Sequence, residues 1–160
     1  MKGNNQKSEI FPVLAIDYGD KRIGLAVSDG KGLVSSPLDT VEFTRNRGIS
    51  EICQDIIEIG GQYRIKSFLI GKPQVFAETH NKIVAKIENF AERLEEESGL
   101  KIRFIDESYS STEAKNVLLS FGQHGKKGRR STDKMAAAIF LQKFLDNNDE
   151  NNKSQQFKET

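Results

Sequence analysis

Apolar positions recur along this chain with two different periods, and the order in which the periods alternate predicts the fold. Val13 to Tyr18 is a short apolar run, and Ile23 to Ser28 alternates apolar and small residues, with Gly19-Asp20-Lys21-Arg22 between them. Two strands joined by a tight turn, an antiparallel hairpin, are expected. A third extended run, Leu33 to Phe43, contains Pro37. Proline cannot donate to an interior ladder, so this strand is expected at a sheet edge. The spacing then switches to threes and fours: Ile49, Ile52, Ile56 and Ile59 form a helical stripe, which Gly60-Gly61 is expected to stop.

The second half repeats a strand–helix alternation. Ser67 to Gly71, closed by Gly71-Lys72-Pro73, reads as a central strand. A long helix follows from Glu78 to Glu97, where Ile83, Ile87, Phe90 and Leu94 share one face and Glu92, Arg93 and Glu95 to Glu97 cover the other. Lys101 to Asp106 alternates as a strand, with Ile102, Phe104 and Asp106 on one side. Ser110 and Glu113 have the capping-box spacing for a helix that buries Ala114, Val117, Leu118 and Phe121. Ser131 or Thr132 caps a last helix, Asp133 to Leu145, apolar on most sides and suited to packing across a sheet. The order βββαβαβαα predicts an α/β fold: a mixed five-stranded sheet, three antiparallel strands then parallel αβ units, flanked by helices on both faces. One domain is expected over residues 13–145, with a flexible tail at 1–12 and a polar, disordered tail at 146–160.

Composition narrows the partners. The chain of 160 residues is 36% hydrophobic and 29% charged, which describes a globular protein with a wet surface. Cys53 is the single cysteine and stands among isoleucines, so it closes no intrachain disulfide and builds no thiolate metal cluster; a buried structural thiol is expected. No apolar stretch reaches the roughly 18 residues that cross a bilayer. Met1 to Glu9 is polar, and a cytoplasmic protein without a membrane partner is expected. A net charge of +1 exerts no global pull on nucleic acid, so any polyanion site must come from local clustering. Lys126, Lys127, Arg129 and Arg130, interleaved with Gly125 and Gly128, form such a cluster.

Ligands of open α/β sheets gather at the carboxyl ends of the central parallel strands. Asp17 lies in the first strand, Asp106 and Glu107 end the fifth, and Asp133 begins the final helix, so these acids can meet at one sheet edge. Carboxylates without histidine or cysteine suit a hard cation, Mg2+ or Mn2+. Two such ions, about 3.5–4 Å apart, stabilise both oxygens of an in-line phosphodiester displacement. Plainer roles compete. An aspartate inside Leu14-Ala15-Ile16-Asp17 is costly unless paired or metal-bound, whereas an acid such as Asp133 in a first helical turn is ordinary dipole complementation. Glu107 alone reads as a solvated loop acid and Asp106 as a turn former. Glu113 is a capping partner, Asp20 and Asp29 are turn residues, and His80 and His124 lack a local carboxylate partner, so none joins the candidate site.

The run from Asp17 to Asp29, D-Y-G-D-K-R-I-G-L-A-V-S-D, resembles the D-x-G-x-K-R-x-G-x-A-x-S-D opening of the YqgF/RuvX family of pre-16S rRNA nucleases and Holliday-junction-resolvase-like proteins. Gly71-Lys72-Pro73 is similar to the family's G-L-P-L, Asp106-Glu107 with Ser110 to Ala114 to its D-E-R-L-S-T-x-E-A, and Asp133 to Gln142 to its D-x-x-A-A-x-x-I-L-Q helix. The resemblance covers Val13 to Leu145. It implies a ribonuclease H-like fold with Asp17, Glu107 and Asp133 as the catalytic, metal-binding acids and Asp106 in reserve. It further implies that Lys21, Arg22, Lys126, Lys127, Arg129 and Arg130 hold the phosphate backbone, which gives salt-sensitive affinity without sequence choice. Two departures stand out: Ser108 replaces the family's arginine after D-E, and Val75-Phe76-Ala77-Glu78 replaces its N-M-D-G. Serine cannot replace a bidentate phosphate ligand.

The resemblance implies a metal-dependent endonuclease for structured RNA, with maturation of the pre-16S rRNA 5′ end and association with ribosomal particles, or for branched DNA. Ser108 keeps open a second class, a catalytically weakened RNA-binding module of the same fold. A related nucleotide-binding ATPase needs a second half with another phosphate loop, and no repeat of Asp17 to Gly24 occurs in this chain.

Overall fold

β-Branched and small residues build the opening strands, β1 (Val13–Tyr18) and β2 (Arg22–Ser28), and the turn between them is closed by the Gly19 amide donating to the Arg22 carbonyl at 2.9 Å. A Cβ on Gly19 would lie 2.7 Å from that carbonyl oxygen, so the turn requires glycine. The protein, seen in a computed structural model that describes residues 9–73, 78–106 and 134–148, continues with β3 (Ser35–Glu42), α1 (Ile49–Gln62), β4 (Ser67–Lys72), α2 (Glu78–Ser98), β5 (Lys101–Asp106) and α3 (residues 134–148). The helix expected over Ser110 to Phe121 lies outside the described residues.

The strands form a five-stranded sheet in the order β3-β2-β1-β4-β5. β1–β2 and β2–β3 are antiparallel, and β1–β4 and β4–β5 are parallel, as the periodicity predicts. β3 takes the edge, and its register with β2 shifts by a bulge between Gly24 and Ala26, next to Pro37. Side-chain alternation then separates two cores. Leu14, Ile16, Ile23, Leu25, Phe68 and Ile70 pack against α1 and α2, whereas Val13, Ala15, Ala26 and Leu69 pack against Ala137, Phe140, Leu141 and Leu145 of α3. Helices therefore cover both faces.

Four expectations need correcting. The packed chain begins before Val13: Phe11 is buried in the α3 core, Ser67 Oγ donates to the Ile10 carbonyl, and the Lys66 amide donates to that of Pro12. At the other end α3 runs on to residue 148, beyond Leu145. Gly60-Gly61 does not stop α1, which passes through both and caps at Tyr63, followed by Arg64 at φ 55°. A Cβ on Gly60 would lie 2.6 Å from Ile65 Cδ1, so this glycine serves close packing. Ile49, counted in the apolar stripe, is exposed because it opens the helix ahead of the buried Ile52, Cys53 and Ile56.

Cys53 is buried as expected, and burial, aided by the Glu97 carboxylate, pushes its thiol up to about 11. Alkylation requires an accessible thiolate. Iodoacetamide at pH 8 is expected to leave the folded protein unmodified and to label it completely in denaturant; mass spectrometry reads the difference.

Candidate functional site

Asp17 enters the site through the register of the central strand. It pairs with Gly24 of β2, and it lies one position beyond the Ile16–Ile70 pair, beside Gly71 of β4. Both neighbours on its face of the sheet are thus glycines, and both are buried. The face is the one that Val13 and Ala15 present to α3, and Asp17 stands half-buried at its carboxyl-end margin. Arg22, two positions from Gly24 on the same strand, alternates to this face, whereas Lys21 is exposed in the turn, where its carbonyl accepts from the Phe43 amide at 3.0 Å.

Asp106 ends β5 in a different register position from Asp17. It pairs with Lys72, while its neighbour Ile105 pairs with Gly71 and packs in the α3 core. Strand alternation therefore puts exposed Asp106 on the α1–α2 face. Glu107, Ser108, Asp133 and the basic loop Lys126, Lys127, Arg129 and Arg130 lie outside the described residues, as does His124. Among the described residues no three His, Cys, Asp or Glu side chains gather as a cation site.

The remaining motif residues have structural duties. Asp29 Oδ1 accepts from the Leu33 and Val34 amides at 2.7 and 3.0 Å and closes the β2–β3 connection. Partial burial opposes its ionisation, but the Val34 and Leu33 amides outweigh this and hold the carboxyl below its usual range. Gln142 of α3 satisfies the start of edge strand β3 twice: its Oε1 accepts from the Ser35 amide and its Nε2 donates to the Leu33 carbonyl, each at 3.0 Å. The Ser35 hydroxyl donates in turn to the Ala138 carbonyl at 2.9 Å. These bonds fix α3 across the sheet.

Sequence reading missed the charges that α2 brings to the same margin. Lys86 Nζ stands 2.8 Å from Asp20 Oδ1 in the β1–β2 turn, and Asp20 holds this ammonium above its usual range. Lys72 Nζ stands 2.8 Å from Glu88 Oε1 and 4.8 Å from the Phe104 ring centre. Tyr18 packs its ring on Phe90 at 5.1 Å and Phe43 at 5.8 Å, which seats the end of β1 on α2. The signal was legible as an i, i+4 pair of lysines, Lys82 and Lys86, preceding an acidic half-helix.

The model of the family described as "RuvX: Holliday junction resolvase" matches residues 12–147. A relative from Dictyoglomus thermophilum named "Putative pre-16S rRNA nuclease" is 34% identical over 134 residues, which cover 84% of this chain and 94% of the relative. One of the same name from Geobacillus kaustophilus is 34% identical over 133 residues, 83% of this chain and 96% of the relative. Among solved structures, T. thermophilus RuvC in complex with Holliday junction substrate matches with a TM-score of 0.53 and 15% identity over 79% of this chain and 89% of that one, a likeness of fold.

Proposed function

The chain belongs to the RuvX family, and on that basis we propose that it is a metal-dependent endonuclease that hydrolyses phosphodiester bonds in structured RNA, with precursor 16S rRNA as substrate. Its sheet is of the ribonuclease H-like class. The observation that carries the reading is Asp17: an acid in the central strand, half-buried at the sheet margin, with glycine on either side of it. A carboxylate held on a rigid central strand at that margin is the kind of oxygen ligand that a hard divalent cation takes.

Asp17, Glu107 and Asp133 would hold Mg2+ or Mn2+, since an oxygen-only donor set fits a hard cation. When bound, such ions polarise the phosphate and stabilise charge on the attacking and leaving oxygens. The chain itself orients the strand: Arg22 on the Asp17 face and Lys21 in the turn contact backbone phosphates, as do Lys126, Lys127, Arg129 and Arg130. Hydrolysis adds water across one P–O bond and leaves one phosphate end and one hydroxyl end. No helix among the described residues is long and apolar enough to cross a membrane; a cytoplasmic site of action, in association with ribosomal particles, accompanies this reading.

A 5′-extended 16S rRNA stem and a four-way DNA junction, each incubated with the protein and Mg2+ or Mn2+, test the assignment. The RNA is expected to be cut and the junction spared, with cleavage abolished by EDTA. Cleavage of the junction alone would overturn the RNA substrate in favour of branched DNA. Retained RNA binding without cleavage of either would favour the binding module, whose supporting feature is Ser108 in place of the family's arginine.

A further inference from the structure

The charge along α2 is divided. Its charged residues from 82 to 86 are both lysines, whereas from 88 to 97 five of six are glutamates, Arg93 being the exception. Because α2 follows β4, whose carboxyl end lies at the Asp17 margin, the helix begins near that margin and runs away from it. The contact of Lys86 with Asp20, three residues beyond Asp17, fixes this half of α2 against the β1–β2 turn. Lys82 is exposed one helical turn nearer the start, on the same side of the helix as Lys86.

We propose that Lys82 and Lys86, with Lys21 of the turn, form a second phosphate-contacting track that holds a double-stranded RNA arm on the α2 side of the Asp17 margin. It rests on the nuclease reading and extends it to Lys82 and Lys86, which no motif supplied. Three observations carry it. The net charge of +1 leaves backbone affinity to local clusters, and this cluster borders the candidate site while Glu92, Glu95, Glu96 and Glu97 lie farther along the helix. The Lys86–Asp20 pair is open to solvent, with side-chain exposures of 57% and 64%, so exchanging Asp20 for a phosphate costs little. Tyr18, which leads into the turn, is packed against Phe43 and Phe90, so the turn presents charge and not a ring, and lysines read backbone, as duplex recognition requires.

Binding of a fluorescently labelled 16S precursor stem, measured by anisotropy in EDTA across a KCl series, tests the track. Each lysine replaced by alanine is expected to reduce the slope of log affinity against log salt by about one, so Lys82→Ala/Lys86→Ala loses about two. Asp20→Asn is expected to retain the wild-type slope and to bind at least as tightly, because it releases Lys86. Equal weakening by Asp20→Asn and Lys86→Ala would mean that the lysine only pins the turn, and would overturn the track. An unchanged slope in the double variant, with the wild type binding normally, would overturn it and leave the nuclease reading intact. A wild type that does not bind the stem would overturn both.

Discussion

Asp17→Asn is expected to reduce cleavage of the precursor stem by about a thousandfold while leaving the melting temperature in EDTA close to wild type. The substitution keeps the shape of the side chain and removes the charge that a hard cation requires. Transition-state stabilisation by a catalytic cation is worth several kcal/mol, and about 4 kcal/mol corresponds to that factor. The fold should tolerate the change, because Asp17 is half-buried at the end of β1 and its in-register neighbour is Gly24, not a packed side chain. A companion measurement is independent of turnover: Mg2+ or Mn2+ should raise the melting temperature of the wild type and not of Asp17→Asn, since a ligand of the folded state alone stabilises it. Cleavage within tenfold of wild type, or equal metal stabilisation of both proteins, would remove Asp17 from the site.

Phe140→Ala is expected to destabilise the protein by about 3–5 kcal/mol, read as a lower urea midpoint with an unchanged denaturant slope. Phe140 is among the largest fully buried side chains and fills the core between α3 and the sheet, with Phe11, Val13, Ala15 and Leu69 in the same cluster. Several of its neighbours, Ala15, Ala26, Ala137 and Ala138, are alanines. Such short side chains cannot swing in to fill the space a lost ring leaves, so the cavity should persist. Against a total stability of order 5–15 kcal/mol, the loss would populate unfolded protein measurably. A change below about 1 kcal/mol would mean that α3 does not pack through this ring.

Much of the architecture was legible in the chain. The switch from alternation to a three- and four-residue spacing at Ile49, and back at Ser67, gave strand and helix identities that the structure reproduces. Pro37 correctly marked the edge strand, and Gly99, at φ +71°, correctly ended α2. Gly60-Gly61 misled because a glycine pair breaks a helix only if nothing rewards continuing it; here Gly60 lets Ile65 approach the helix. Phe11 was assigned to a tail because it lies outside any periodic run, yet a single ring packed under Gly32 and against α3 secures that segment.

For the site, the residue types at Asp17 and its turn pointed to acid and phosphate chemistry, but not to which acids share a side of the sheet. Asp106 and Asp17 look equivalent as strand-end carboxylates until the register through β4 sets them on opposite faces. Lys86 likewise gave no sign of belonging near Asp20, 66 positions away in the chain. Local preferences, set by side-chain branching, period and missing amide hydrogens, act over a few residues and so are written in the sequence. Which face a carboxylate occupies and which distant charge it meets depend on strand pairing and helix packing, and those are decided only when the whole sheet closes on its two cores.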